Sequence, residues 1–158
     1  CSLGILLAYP LYRWARKTWP PRDQARGGAY WGWTLALALL QLAVLPSLVL
    51  LQKSLGVRYE GSSLDPAHLP LLLLLFPWSE ELFARGWAYP LAKQGFGRLG
   101  AALLVCTLGA LLDLTPSLFL VYLATYLFAT LAYEATGRLS AAILLRIAGA
   151  ATILPLSL

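Results

Sequence analysis

The residues most suited to take part in chemistry are two adjacent acids and an arginine at the end of a strongly apolar stretch. They are Glu80, Glu81 and Arg85, within the run at residues 77–86. Removing a carboxylate from water into hydrocarbon is costly, so charges grouped in such a segment indicate a functional site. Carboxylate oxygens can bind Mg²⁺ or Ca²⁺, and an acid four residues before an arginine can pair with it on one helix face.

The composition predicts that the elements positioning these charges cross a membrane. Hydrophobic residues make up 59% of the chain, charged residues 12%, and the mean hydropathy is +0.71. These values lie outside the range of soluble globular proteins. A chain of 158 residues can supply several spans of about 20 residues each. We predict an all-α, multi-pass transmembrane helical bundle of about six helices, forming a single domain over residues 1–158.

The apolar segments define the predicted spans. They cover residues 2–12, 29–52, 69–92, 99–114, 118–133 and 139–158. The first is too short to span, since even all 12 residues before Arg13 would reach only about 18 Å as a helix, against a hydrocarbon core of about 30 Å. We therefore expect a truncated first helix and do not take residue 1 as a true N-terminus. Three prolines interrupt the third segment, so we expect irregular helix around the acidic pair.

The positive charges predict the orientation of the bundle. Lysine and arginine concentrate in the loops at residues 13–28, 93–98 and 134–138, which alternation of the spans places on one side. The positive-inside rule assigns that side to the cytoplasm, which makes the chain a multi-pass protein of the cell membrane. The net charge of +5 is explained by loops that touch anionic lipid headgroups, so we expect membrane lipids and not nucleic acid as partners.

Two further charges lie inside the predicted spans. Asp113 stands at the end of the fourth segment and Arg146 near the middle of the last. On a helix, Glu81 and Arg85 share one face, whereas Glu80 is rotated by about 100° and points toward another helix. Because an unpaired charge is costly in lipid, we expect some of these groups to pair across the bundle.

The pattern of these motifs resembles the CPBP glutamic intramembrane proteases, a family that includes CAAX prenyl endopeptidases and bacteriocin-processing or immunity proteins. Members carry Glu-Glu-x-x-x-Arg, which stands here at residues 80–85 and is followed by glycine. A Thr-Gly-x-Leu turn is present at residues 136–139. The spacing places residues 109–113 over a Phe-x-x-x-His motif and residues 146–150 over a His-x-x-x-Asn motif.

The resemblance implies a glutamate that acts as general base on a water, a histidine that helps to hold this water, and a histidine and asparagine that stabilise the oxyanion. The motif glutamates and Arg85 match this pattern. The two histidines are replaced by Asp113 and Arg146, the asparagine by Ala150, and the phenylalanine by Gly109. The only histidine of the chain, His68, lies in a predicted outer loop and does not restore the set.

These departures suggest an ion pair in place of the histidines. Asp113 would bring a third carboxylate toward the motif, which requires a cation nearby, and Arg146 is that cation. The hypothesis predicts that Arg146→Ala destabilises more than Arg146→Ala combined with Asp113→Ala.

The leading interpretation is a catalytically degenerate member of the family, a pseudoenzyme that serves as scaffold or accessory subunit beside other membrane protein subunits. The alternative is an active glutamic intramembrane endopeptidase in which Glu80 remains the base and Arg146 stabilises the oxyanion. A third reading is a Mg²⁺ or Ca²⁺ site on Glu80, Glu81 and Asp113, which the nearby arginines disfavour. We expect no cofactor and no bound metal. A closed salt-bridge cluster around Glu80 favours the scaffold, and a hydrated cavity favours the peptidase.

Overall fold

A computed structural model of the chain describes residues 27–57, 71–112 and 116–157. The helices are α1 (Gly27–Ser54), α2 (Phe76–Phe83), α3 (Tyr89–Leu112), α4 (Phe119–Thr136) and α5 (Leu139–Ser157), with π-helical segments at Leu71–Leu75 and Ala84–Ala88 and a 3₁₀ turn at Pro116–Leu118. These ranges contain no strand, which confirms the all-α class. The predicted first helix lies outside the described residues, so the total of six helices stays a prediction.

Within the described ranges, three helical stretches are long and apolar enough to cross a membrane. They are Ala29–Ser54, Leu73–Leu112 and Phe119–Thr136, and α5 adds a shorter apolar helix at Leu139–Thr152. The second stretch has 40 residues, a helical length of about 60 Å against a hydrocarbon core of about 30 Å. It turns back at Gly97, whose φ of 68° and ψ of −175° break the helix. The break falls within the loop predicted at residues 93–98.

The helix before this turn is irregular where it carries the motif. The peptide N–H of Tyr89 donates to the carbonyl oxygen of Ala84, five residues earlier, as in a π-helix. Pro90 follows at once and has no N–H for the carbonyl of Gly86, and the wider π turn relieves the steric clash between its ring and that carbonyl. The expected irregular helix is therefore present, and Arg85 lies within it.

Small residues bring the helices together around the site. Ala101 on α3, Ala129 and Ala132 on α4, and Ala141 and Ala142 on α5 are fully buried, as expected where helix backbones approach closely in lipid. The chain passes from α4 to α5 through a tight turn. Gly137 ends α4 in the left-handed conformation at φ 65°, and its N–H donates to the carbonyl of Tyr133 at 2.8 Å. This turn fixes α5, which carries Arg146, beside α4.

Candidate functional site

The motif pair that the sequence places on one helix face is fully buried. Arg85 Nη1 donates to Glu81 Oε1 at 2.6 Å, and neither side chain is exposed. The predicted pairing four residues apart is therefore confirmed. A buried carboxylate and guanidinium offset each other's charge. Removing one partner of a buried pair therefore lowers the stability of the fold much more than removing one partner of an exposed pair.

Helix α4 satisfies the remaining donors of Arg85. Its Nη2 donates to Thr130 Oγ1 at 2.9 Å and to the backbone carbonyl of Tyr126. The hydroxyl of Thr130 donates in turn to that same carbonyl, at 2.9 Å, and Cys106 Sγ lies 3.3 Å from the hydroxyl. Arg85 thus connects the motif helix, which comprises α2 and the π-helical segment that follows it (residues 76–88), to the centre of the bundle.

The second glutamate of the motif pairs across the bundle. Arg146 on α5 donates through Nη2 to Glu80 Oε2, and its Nε lies 3.6 Å from Glu81 Oε1. Glu80 therefore points toward another helix, as its rotation from Glu81 predicts. The side chain of Arg146 is 7% exposed and that of Glu80 is 24% exposed, so Glu80 forms the accessible edge of the cluster.

An aromatic ring packs against both guanidinium groups. The ring of Tyr126 lies with its centroid 4.1 Å from Arg146 Cζ and 4.9 Å from Arg85 Cζ. The negative face of an aromatic ring attracts cations, which lets two arginines share a small volume with two acids. The ring also explains Gly109, because a Cβ there would come within 2.6 Å of Tyr126 Cε1 and Cζ.

The cluster is electrically balanced among the described residues. Two carboxylates, Glu80 and Glu81, face two guanidinium groups, Arg85 and Arg146. Glu81 Oε2 is buried and makes no hydrogen bond within the described part of the chain. The described residues therefore form a largely buried ion-pair cluster whose accessible edge is Glu80.

Comparison with known proteins places the chain that carries this cluster in a family. The family profile described as "Type II CAAX prenyl endopeptidase Rce1-like" matches residues 62–151, more than half of the chain. The chain belongs to this Rce1-like family. The match covers the motif helix, the fold-back turn, α4 and most of α5, and the family lies within the CPBP group that the sequence resembles. No curated protein and no solved structure matches significantly.

Family membership and the apolar helices together establish an Rce1-like membrane protein. The structure brings Glu80, Glu81, Arg85 and Arg146 into one site. Asp113, the fifth predicted member, lies outside the described residues, as does His68, so the pairing of Asp113 with Arg146 stays a prediction. The metal alternative also depends on Asp113; within the described ranges no three potential metal-ligating side chains gather.

Sequence reasoning missed the contribution of α4 to this Rce1-like site. Tyr126 and Thr130 are four residues apart on α4 and are 3% and 2% exposed. Polar groups one turn apart in an apolar helix, on the face toward the motif, are the signal that identifies such partners. A search for charged residues alone does not identify Tyr126 and Thr130, because both side chains are neutral.

Proposed function

We propose that this Rce1-like protein is a catalytically degenerate member of its family that works as a scaffold or accessory subunit of a membrane complex. The observation that carries the proposal is the ion pair between Arg146 and Glu80. Arg146 stands where the family pattern has a histidine, and Glu80 stands where the resemblance implies the general base. The guanidinium of Arg146 donates to Glu80 Oε2, so this oxygen would have to give up that hydrogen bond before it could accept a proton from water.

The oxyanion side of the site supports the same conclusion. Stabilising a tetrahedral intermediate requires donors aimed at the developing negative charge. Ala150, which stands at the position of the family asparagine, has no polar side-chain atom. Arg146, the other group in this region, already donates to Glu80.

The scaffold role proposed here fits a single membrane-embedded domain in the cell membrane, with the basic loops in the cytoplasm. Its apolar outer surface would face lipid and neighbouring membrane subunits. Leucines on α1 are broadly exposed, with Leu39 at 67% and Leu50 at 65%, and such surfaces suit lipid or another transmembrane helix equally.

One observation favours the alternative, an active intramembrane endopeptidase. Glu80 is the most exposed member of the cluster, at 24%, so a substrate could reach it. If Arg146 moved from Glu80 to an oxyanion, Glu80 would be freed to activate water, and the guanidinium would supply the positive charge that the histidine and asparagine supply in the family pattern.

A back-substitution experiment tests the proposal. The native chain, Glu80→Gln, and a triple variant carrying Asp113→His, Arg146→His and Ala150→Asn are reconstituted in nanodiscs and given a prenylated peptide ending in a Cys-a-a-X sequence. We expect the native chain and Glu80→Gln to cleave equally little. Cleavage by the triple variant would show that the peptide suits the site. Cleavage by the native chain that Glu80→Gln abolishes would refute degeneracy and support the peptidase.

A further inference from the structure

One end of the bundle carries a cluster of charged residues separate from the motif. Glu134, near the end of α4, accepts from Lys93 Nζ at 2.5 Å and from the Tyr89 hydroxyl at 2.9 Å. Arg98 Nε lies 3.5 Å from the other carboxylate oxygen of Glu134. We call this group, with Arg138 one turn further along the chain, the basic end.

The fold-back turn of α3 projects from the basic end and exposes apolar side chains. Phe96 and Leu99, on either side of the break at Gly97, are 68% and 75% exposed. Arg98 stands between them and is 79% exposed. Apolar side chains alternating with cations are typical of elements at the boundary between headgroups and acyl chains.

Contacts between helices bring the starts of α1 and α5 together with Arg138 at the same end of the bundle. The Tyr30 hydroxyl, at the start of α1, donates to Ser140 Oγ at the start of α5 at 3.3 Å. The guanidinium of Arg138 lies 5.0 Å from the Tyr30 ring centroid. Trp31 and Trp33 follow on α1 and are about half exposed, as expected for indole rings at the lipid interface.

Among the described residues, the basic end carries more positive charge than the opposite end of α1. The basic end holds Lys93, Arg98 and Arg138 against Glu134 alone. The opposite end of α1 carries Lys53, about 35 Å away along the helix from Tyr30. The positive charge of the basic end attracts anionic lipid headgroups.

From this arrangement we propose that the basic end binds the headgroup of an anionic phospholipid. The lipid phosphate would lie against the exposed guanidinium of Arg98 and beside Lys93, while Phe96 and Leu99 contact the upper acyl chains. Glu134 orients the two cations and opposes the lipid's charge, which keeps the site weak enough to exchange lipid. Lipid binding at the basic end is independent of whether the chain is a scaffold or a peptidase.

Native mass spectrometry of the full chain tests the proposal by measuring how many phosphatidylglycerol molecules stay bound in detergent. The test set is Arg98→Gln and Glu134→Gln, with Lys53→Gln as the matched control at the opposite end. Removing one cation near an anionic lipid is expected to weaken binding about fivefold. Arg98→Gln should show this loss, Glu134→Gln should bind phosphatidylglycerol more tightly than the native chain, and Lys53→Gln should match the native chain.

Opposite effects of Arg98→Gln and Glu134→Gln on lipid binding distinguish a lipid site from a cluster that only stabilises the packing of α3 against α4. If the cluster only joined α3 to α4, Arg98→Gln and Glu134→Gln would both lower the thermal unfolding temperature in phosphatidylcholine nanodiscs without opposite shifts in lipid binding. Equal losses from Arg98→Gln and Lys53→Gln, or equal retention of phosphatidylglycerol and phosphatidylcholine, would overturn the proposal. Soluble glycerophosphate at millimolar concentration should not displace the lipid; displacement would indicate a phosphate site instead of a lipid site.

Discussion

Replacing Arg146 by alanine should destabilise the folded protein by about 3–5 kcal/mol, because it leaves buried acids without a cation. Arg146 is the hydrogen-bond partner of Glu80, and its Nε lies 3.6 Å from the fully buried Glu81. Without it, Arg85 is the one cation that remains in the cluster among the described residues. Glu80→Ala should cost less, about 1–3 kcal/mol, because Glu80 is 24% exposed and Arg146 keeps its contact with Glu81.

The double variant shows whether the two side chains act as a pair. Combining Arg146→Ala with Glu80→Ala should cost about 1–3 kcal/mol less than the sum of the single changes, since each change has already removed the same interaction. Leu144→Ala is the matched control on α5, because this leucine is 42% exposed. It should cost no more than about 0.5 kcal/mol.

Unfolding by sodium dodecyl sulfate in mixed micelles provides the free energies. Cys106 is a built-in reporter, since it is 1% exposed in the folded protein and a thiol-reactive fluorophore labels it only on unfolding. The measurements use a Cys1→Ser background so that Cys106 is the only thiol. Additivity of the single changes to within about 0.5 kcal/mol would refute the pair. The same cycle with Asp113→Ala compares the partner that the sequence suggests with the partner that the structure shows.

Two further changes test the role of α4. Gly109→Ala should destabilise the fold by about 1–3 kcal/mol, because its Cβ would come within 2.6 Å of the Tyr126 ring. The control is Gly32→Ala, whose Cβ would have no atom within 4 Å and which should be neutral or slightly stabilising in the same unfolding titration. Equal effects of the two changes would show that the ring is not the cause. Thr130→Val should cost about 1–2 kcal/mol by removing the hydroxyl that accepts from Arg85, and Thr130→Ser should retain most of that stability. A valine variant as stable as the serine variant in thermal unfolding would contradict this hydrogen bond.

Several features of the bundle follow from local pattern. The apolar segments predict helices that span a membrane, and the loop predicted at residues 93–98 contains the turn that the structure places at Gly97. The spacing of Glu81 and Arg85 predicts their ion pair, and Gly137 predicts the end of α4. Each depends on residues within one continuous segment of the chain, so local composition and helix geometry determine it.

The sequence by itself therefore determined that this is an all-helical membrane protein of the CPBP type and that Glu80 is rotated by about 100° from Glu81 on its helix. Only the tertiary structure decided that Arg146 holds Glu80 and that Tyr126 packs against both arginines. The rotation and axial register of α4 and α5 against the motif helix select these partners. Those quantities depend on how small side chains such as Ala129 and Gly109 let helices approach, which no spacing along one helix specifies.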